Sequence, residues 1–355
     1  MSIHSKFIPI SAAVVFLLFC ALTSGASQTA APRPQTSIAY RQVTDEVGRT
    51  IRLPLSIRRI VSLAPNLTET IYALGLQDRL VGDTDYCDFP PEARQKPKVG
   101  GVINPSLEAI ASLHPDLVLV TKLNRLETVN ALDSLGIPSY ATDPHTVEAI
   151  IVSTERLADL LGASETGAAV GKDMQRRIAT IKDRLNSVSP RRVLFVVWTE
   201  PLISIGKQTF IADALQHAGA VSVIDSSQNW PQINLEEVVR LQPEFLVFAE
   251  SHPNNAAHTA DTLAYLPGWR VLDAVKRHRF AVISDAVNRP APRITSAIED
   301  LARQLHPEAF VESPKSDRND ENGQGPTPPR TAPAQTVPPQ FTLDFPLPQR
   351  CACAR

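Results

Sequence analysis

The sequence has few aromatic residues, few cysteines and almost no net charge. Aromatic side chains make up 6% of the 355 residues, and the chain contains four cysteines. The formal net charge of −2 comes from interspersed charges of both signs, so the chain offers no broad basic field of the kind that binds nucleic acid. We therefore expect no nucleic-acid partner and look for function in local chemistry.

Motifs for catalysis and metal binding are also missing. The chain has no phosphate-binding loop, no serine nucleophile elbow and no dinucleotide fingerprint. Its histidines are scattered, and Cys87 has no partner at metal-ligand spacing, so Cys87 is interpreted as a small packed residue. We expect no catalytic residues, no metal site and no resident cofactor, with an exported hydrolase as the weaker alternative.

The N-terminal residues resemble an export signal. A polar start is followed by an apolar run over 7–22 and by small residues up to Ala26. This order predicts a cleaved signal peptide over residues 1–26 and a periplasmic protein, the alternative being an uncleaved anchor. Phe19 stands where a lipoprotein signal has a small residue before Cys20, which disfavours lipidation.

Residues 312–355 are rich in Pro, Asp, Asn, Gln, Gly and Thr. Such a composition buries too little apolar surface to offset the entropy of ordering, so we predict a disordered Pro-rich tail. Cys351 and Cys353 lie at its end and are interpreted as incidental, because two thiols on a flexible segment form no preorganised metal site.

Short apolar runs alternate with helical periodicity in two separate parts of the chain. This pattern predicts an N-terminal α/β lobe over 40–145, opened by a hairpin over 40–53, and a C-terminal α/β lobe over 189–311. Residues 146–188 read as almost continuous helix, interrupted only at Gly162, and are predicted to link the lobes. The fold class is therefore two Rossmann-like parallel-sheet lobes joined by a long α-helix, with a ligand cleft between them.

An internal repeat supports this interpretation. Residues 106–120 align without a gap with residues 234–248, each segment reading as a helix, a Pro and a buried strand. Glu108 and Glu236 occupy the same position in the first helical turn of the two copies. A carboxylate there is stabilised by the helix dipole alone, but one exposed carboxylate on each lobe also suits arginines of a two-fold membrane partner.

Loops after the predicted strands supply candidate ligand contacts. Trp198, Trp230 and Tyr86 lie on such loops, where a rigid aromatic wall suits a flat macrocycle, although ordinary core packing is the alternative for each.

Residues 66–69 read as a capping box that begins a helix ending before Gly75.

Residues 40–309 resemble the helical-backbone class of periplasmic binding proteins, which serves cobalamin, iron-siderophore and haem importers. The resemblance is carried by residues 58–65 (RRIVSLAP), residues 105–110 (PSLEAI) and the linking helix. Within that class the chain is most similar to its cobalamin-binding branch, through residues 85–91 (DYCDFPP), 230–232 (WPQ) and the stretch from Ser284 to Arg289.

The resemblance implies a substrate-binding component of an ABC uptake transporter that captures a corrinoid such as cobalamin, with a ferric siderophore or haem as the alternative. It implies an ABC permease dimer as partner, and we expect a monomer. It gives Glu108 and Glu236 the role of permease contacts. The expected ligand-binding residues are Tyr86, Trp198, Trp230, Asp285, Ala286, Val287, Asn288 and Arg289.

Overall fold

A computed structural model describes residues 39–250 and 260–311. The predicted signal peptide over 1–26 and the tail over 312–355, with Cys351 and Cys353, lie outside the described residues. In the N-terminal lobe the elements are β1 (Tyr40–Thr44), β2 (Thr50–Pro54), β3 (Ile60–Ser62), α1 (Pro65–Ala73), β4 (Leu80–Gly82), α2 (Leu107–Ser112), β5 (Leu117–Thr121), α3 (Leu126–Ser134) and β6 (Ser139–Thr142).

The N-terminal lobe is built on a four-stranded parallel sheet of order β4-β3-β5-β6. Both faces of this sheet are covered: Leu117 and Leu119 of β5 pack into one apolar cluster, and Val118 and Val120 pack into the other. Burial on both faces explains why its strands are continuous apolar runs rather than alternating ones. The antiparallel hairpin β1–β2 precedes the sheet, as the alternation over 40–53 predicts.

Two antiparallel helices connect the lobes: α4 (Val147–Leu160) and α5 (Ser164–Leu185). The expected single linking helix is therefore corrected to a helical pair. Gly162 has a φ of +71°, a conformation that ends α4 and reverses the chain. The first turns of α4 pack into the core of the C-terminal lobe, while Leu157 and Ala158 near its end pack into the core of the N-terminal lobe. The connection is thus a packed element of both lobes.

The C-terminal lobe repeats the architecture with a parallel sheet of order β10-β7-β11-β12. Its strands also have apolar clusters on both faces. Its elements are β7 (Arg191–Val196), β8 (Trp198–Thr199), β9 (Leu202–Ile203), α6 (Phe210–His217), β10 (Ala220–Ser222), α7 (Leu235–Leu241), β11 (Phe245–Ala249), α8 (Ala260–Leu263), α9 (Asp273–Lys276), β12 (Phe280–Ile283) and α10 (Ile294–Leu305).

The internal repeat extends to single backbone angles. His114 and Gln242, which the gap-free alignment pairs, both adopt left-handed φ values, 44° and 43°. Each follows the end of its helix, and a proline comes next in the chain. A residue with left-handed φ terminates a helix and turns the chain, so the two copies of the repeat pass from helix to strand through the same backbone conformation.

No helix within residues 39–250 and 260–311 has the length and hydropathy of a membrane span.

Candidate functional site

A cleft of about 1090 Å³ lies between the lobes. Its walls come from the carboxyl ends of parallel strands and the residues just beyond them: Thr121 to Leu123 at the end of β5, Thr142 to His145 at the end of β6, and Asp285 beyond β12. The carboxyl ends of both sheets therefore face the same space, which is where open α/β sheets place their ligands.

Aromatic side chains reach this cleft from both lobes. Tyr86 and Phe89 belong to the loop between β4 and α2, and their exposed fractions are 54% and 40%. Trp230 reaches it from the segment before α7 and is 48% exposed. Half-exposed aromatic rings bind planar apolar surfaces with little loss of side-chain entropy. The cleft thus offers aromatic surface to a ligand from two sides.

Five charged side chains form a cluster at the junction of the lobes: Glu69, Asp88, Asp285, Arg289 and Arg293. Arg289 donates a hydrogen bond to Glu69 at 2.7 Å and forms ion pairs with Asp88 at 2.8 Å and Asp285 at 2.6 Å. Arg289 is itself 8% exposed. Its guanidinium is therefore held by three carboxylates.

The second arginine completes the cluster. Arg293 contacts Glu69 in a bidentate manner, with Nε 2.9 Å from Oε2 and Nη2 2.8 Å from Oε1. Its guanidinium also lies 4.0 Å from the centre of the Phe89 ring. Burial lowers the pKa of Arg289 and of Arg293, but the bonds to Glu69 and the nearby Asp285 outweigh this and raise both pKa values above their usual range. Both arginines are therefore cationic.

Further polar groups lie around the cleft. Lys122 and His145 both approach Asp143, at 2.7 and 3.2 Å. Arg94 lines the cleft and is solvent-exposed. Sequence reasoning overlooked His145 and Arg94 because neither belongs to a motif.

The predicted ligand residues separate into two groups in the structure. Tyr86, Trp230, Asp285, Asn288 and Arg289 all line the cleft. These five residues come from three separate segments, because Asp285, Asn288 and Arg289 follow β12 together, and the two sheets bring the segments to one place.

Ala286 and Val287 instead lie in the core of the C-terminal lobe, at 0% and 1% exposure. A 3-10 turn over Asp285–Asn288 points this apolar pair inward while its ends face the cleft. Trp198 is not among the residues that line the cleft. It is 46% exposed on the short hairpin β8–β9, and its indole donates a hydrogen bond to the carbonyl oxygen of Glu200 at 2.8 Å.

The two repeated glutamates are exposed and lie in equivalent local structures. Glu108 is in the first turn of α2, which Ser106 caps, and Glu236 is in the first turn of α7, which Asn234 caps. Neither lines the interlobe cleft.

Cys87 lies behind the cleft wall at 1% exposure, and Thr68 donates a hydrogen bond to its sulfur at 3.1 Å. Burial raises the pKa of its thiol. The side chain is thus a packed thiol, in agreement with its interpretation from sequence.

Glu69 is the residue of the site that sequence reasoning misassigned. The predicted capping box over 66–69 is wrong: α1 begins at Pro65, its cap residue Ala64 provides no side-chain bond, and the Glu69 carboxylate faces the arginines instead. Proline is favoured at the first helical position, and the helix accordingly starts two residues upstream of the position that the capping box predicts, with Ala64 rather than Asn66 as the N-cap. Glu69 is only 4% exposed, and nothing in a single sequence indicates that this glutamate is buried.

Two similar lobes with a ligand-sized cleft between them define a two-lobed binding protein. Residues 60–287, more than half of the chain, match the periplasmic binding protein family, and the chain belongs to that family. It is a substrate-binding protein of the class that works with ABC transporters, and it is not an enzyme.

Individual relatives agree with this assignment. The chain is 28% identical to an uncharacterised ABC transporter substrate-binding lipoprotein of Bacillus subtilis, over 79% of this chain and 90% of the relative. It is 27% identical to the periplasmic vitamin B12-binding protein of Vibrio cholerae, with a TM-score of 0.62 and coverage of 72% and 99%. It is 25% identical to a periplasmic haem-binding protein from Roseiflexus, with a TM-score of 0.65 and coverage of 72% and 100%.

Proposed function

We propose that this chain captures a corrinoid, with cobalamin as the first candidate, and delivers it to an ABC permease. The size of the cleft supports a large ligand, since about 1090 Å³ lies at the upper end of the roughly 300–1000 Å³ that is usual for small-molecule sites. The aromatic rings of Tyr86 and Trp230, one from each lobe, suit the apolar surface of a macrocycle. The vitamin B12-binding relative supports the same ligand class.

The binding of Arg289 by three carboxylates is the observation that supports the choice of ligand. A receptor for carboxylates needs guanidinium groups with free donors, because Arg recognises carboxylates through paired hydrogen bonds. Arg289 is already bound by Glu69, Asp88 and Asp285. What this part of the cleft presents is carboxylate oxygen, an acceptor for the primary amides around a corrin ring.

Haem is the second candidate, and two cleft residues favour it. Haem iron takes Tyr or His as axial ligand, and both Tyr86 and His145 line the cleft. A haem-binding protein is also among the similar structures. Haem carries two propionates, however, and Arg94 is the cleft cation that the described residues leave without an ion-pair partner.

The same proposal covers the partners and the location of the protein. Glu108 and Glu236 are exposed, lie one on each lobe and are set outside the cleft, so both are available to basic residues of a permease dimer. We propose export through the N-terminal residues and function as a monomeric periplasmic protein.

Competition for the cleft tests the ligand. Purified protein is incubated with equal amounts of cyanocobalamin, cobinamide, haemin and a ferric siderophore, freed of unbound ligand by gel filtration, and examined by visible spectroscopy. Retention of a corrinoid spectrum in a 1:1 ratio is the expected result. Retention of haem alone favours Tyr86 or His145 as an axial ligand, and retention of the siderophore alone also rejects the corrinoid proposal.

A further inference from the structure

Glu69 lies behind the wall of the cleft rather than on its surface. Asp88, Phe89, Asp285 and Arg289 line the cleft, whereas Glu69 does not. The side chain of Glu69 is 3% exposed, and it reaches both arginines of the cluster. Any influence of this carboxylate on a ligand must therefore pass through Arg289 or Arg293.

Both oxygen atoms of Glu69 are used by these arginines. Oε1 accepts hydrogen bonds from Arg289 Nη1 at 2.7 Å and Arg293 Nη2 at 2.8 Å, and Oε2 accepts one from Arg293 Nε at 2.9 Å. Arg293 is further fixed by the Phe89 ring at 4.0 Å. Charge-assisted bonds of this length, one of the pairs bidentate, fix the orientation of the guanidinium planes.

The cluster contains three carboxylates and two guanidinium groups, so its formal charge is −1. Without Glu69, two arginines would share two aspartates. Arg289, which is already at the cleft surface, would then have a donor available for a ligand anion. The carboxylate of Glu69 therefore determines which charge the base of the cleft presents.

We propose that Glu69 is a positioning residue that sets ligand specificity: by holding Arg289 and Arg293 from the opposite lobe, it withholds their donors from the ligand and favours amide-bearing over carboxylate-bearing ligands. The inference rests on the proposed function in its choice of ligand. Its physical basis, the engagement of Arg289 Nη1 and Nη2 and of Arg293 Nε and Nη2 by carboxylates, belongs to the protein and applies to any ligand of the cleft.

A matched ligand pair tests the inference. Cyanocobalamin is compared with a derivative in which one peripheral amide is hydrolysed to a carboxylate, and calorimetry gives the ratio of their dissociation constants. We expect the wild-type protein to prefer the amide. In Glu69→Gln, the freed arginine donors should reduce this preference by about tenfold. Equal weakening of both ligands would show a merely structural role and overturn the inference.

A further variant separates positioning from charge. Glu69→Asp keeps the charge but is one methylene too short for the observed bonds, so it should also relax the preference. A preference unchanged in Glu69→Asp would assign the effect to charge alone and contradict positioning. If Glu69→Gln does not fold, Glu69→Asp alone decides: a relaxed amide preference supports positioning, and an unchanged preference overturns the inference.

Asp45→Asn is the matched control. Asp45 is 5% exposed and pairs with Arg49 at 2.8 Å within the N-terminal lobe, outside the cleft lining. Its loss removes a buried ion pair and should leave the ligand preference intact.

Failure of the proposed function can be distinguished from failure of the inference about Glu69. If wild-type protein binds haem and no corrinoid, the same variants are titrated with haem and haem dimethyl ester, which differ in the two carboxylates. A wild-type preference for the ester that Glu69→Gln relaxes would support the role of Glu69 while rejecting the corrinoid. An unchanged preference would reject both.

Discussion

Glu69 and Arg289 lie 220 positions apart in the chain, yet a 2.7 Å hydrogen bond joins their side chains across the two lobes. The bond ties α1 of the N-terminal lobe to the segment after β12 in the C-terminal lobe. Together with α4, whose side chains pack into both cores, it restricts the relative movement of the lobes.

Ligand binding should therefore leave the overall dimensions almost unchanged. Large domain closure requires hinge segments that absorb changes in backbone angles, whereas here α4 packs into the cores of both lobes. Small-angle scattering of ligand-free and ligand-bound protein measures the radius of gyration directly. A marked contraction on binding would contradict this expectation.

The two exposed tryptophans should differ in their effect on binding. Trp230→Ala removes an aromatic wall of the cleft and should weaken ligand binding by at least about tenfold. Trp198→Ala removes a ring of similar exposure that lies outside the cleft lining, so ligand affinity should stay unchanged. Calorimetry measures the ligand affinity of both variants. Equal losses of affinity would show that Trp198 also contacts the ligand.

Replacing Glu108 and Glu236 together by Ala should abolish most transport while leaving ligand affinity intact, because neither side chain lines the cleft. An exposed ion pair contributes only about 0.2–1 kcal/mol, but two pairs formed together on docking set the register of the complex. Uptake of labelled cobalamin is measured in cells that depend on the variant.

The matched control is Glu148→Ala with Glu165→Ala. These are exposed first-turn glutamates of α4 and α5, the two connecting helices. Uptake should survive in the control. Equal uptake in both double variants would remove Glu108 and Glu236 from the permease interface.

Asp83 should make stability depend on pH. Its carboxylate is fully buried, which raises its pKa from 3.8 to about 6 even though Lys98 lies 2.7 Å away. Because the folded protein then binds this proton more tightly than the unfolded chain, the stabilisation is fully present below pH 3.8 and is lost as the pH rises through about 6.

Urea unfolding at pH 5 and pH 7.5 measures this contribution. Between these values wild-type protein should lose on the order of 1–2 kcal/mol relative to Asp83→Asn, which has no proton to release. Parallel pH profiles for the two proteins would show that the carboxyl titrates at its ordinary pKa.

Local sequence signals predicted most of the fold. The repeat gave the pairing of Glu108 with Glu236, and the equal backbone angles of His114 and Gln242 confirm it at the level of single residues. Strand positions also followed from apolar runs, because burial on both faces of a parallel sheet leaves few alternatives. Gly162 was recognised as an interruption, but the reversal that it makes depends on the packing of α4 against α5.

Contacts between distant segments were beyond sequence reasoning. Glu69 matched a local capping pattern, and only the arrival of Arg289 and Arg293 from the other lobe reveals its role. Ala286 and Val287 were grouped with their neighbours, although a 3-10 turn directs them into the core. The predictions for these residues failed because their roles depend on which segments meet in three dimensions, and the spacing of residues along one sequence does not show this.

The most direct test of the account is a calorimetric titration of the wild-type protein with cobalamin, with haem titrated into the same preparation. We predict 1:1 binding of cobalamin with a dissociation constant of about 1 µM or below, corresponding to about −8 kcal/mol, and weaker binding of haem. Tight binding of haem together with no heat from cobalamin would contradict the central claim.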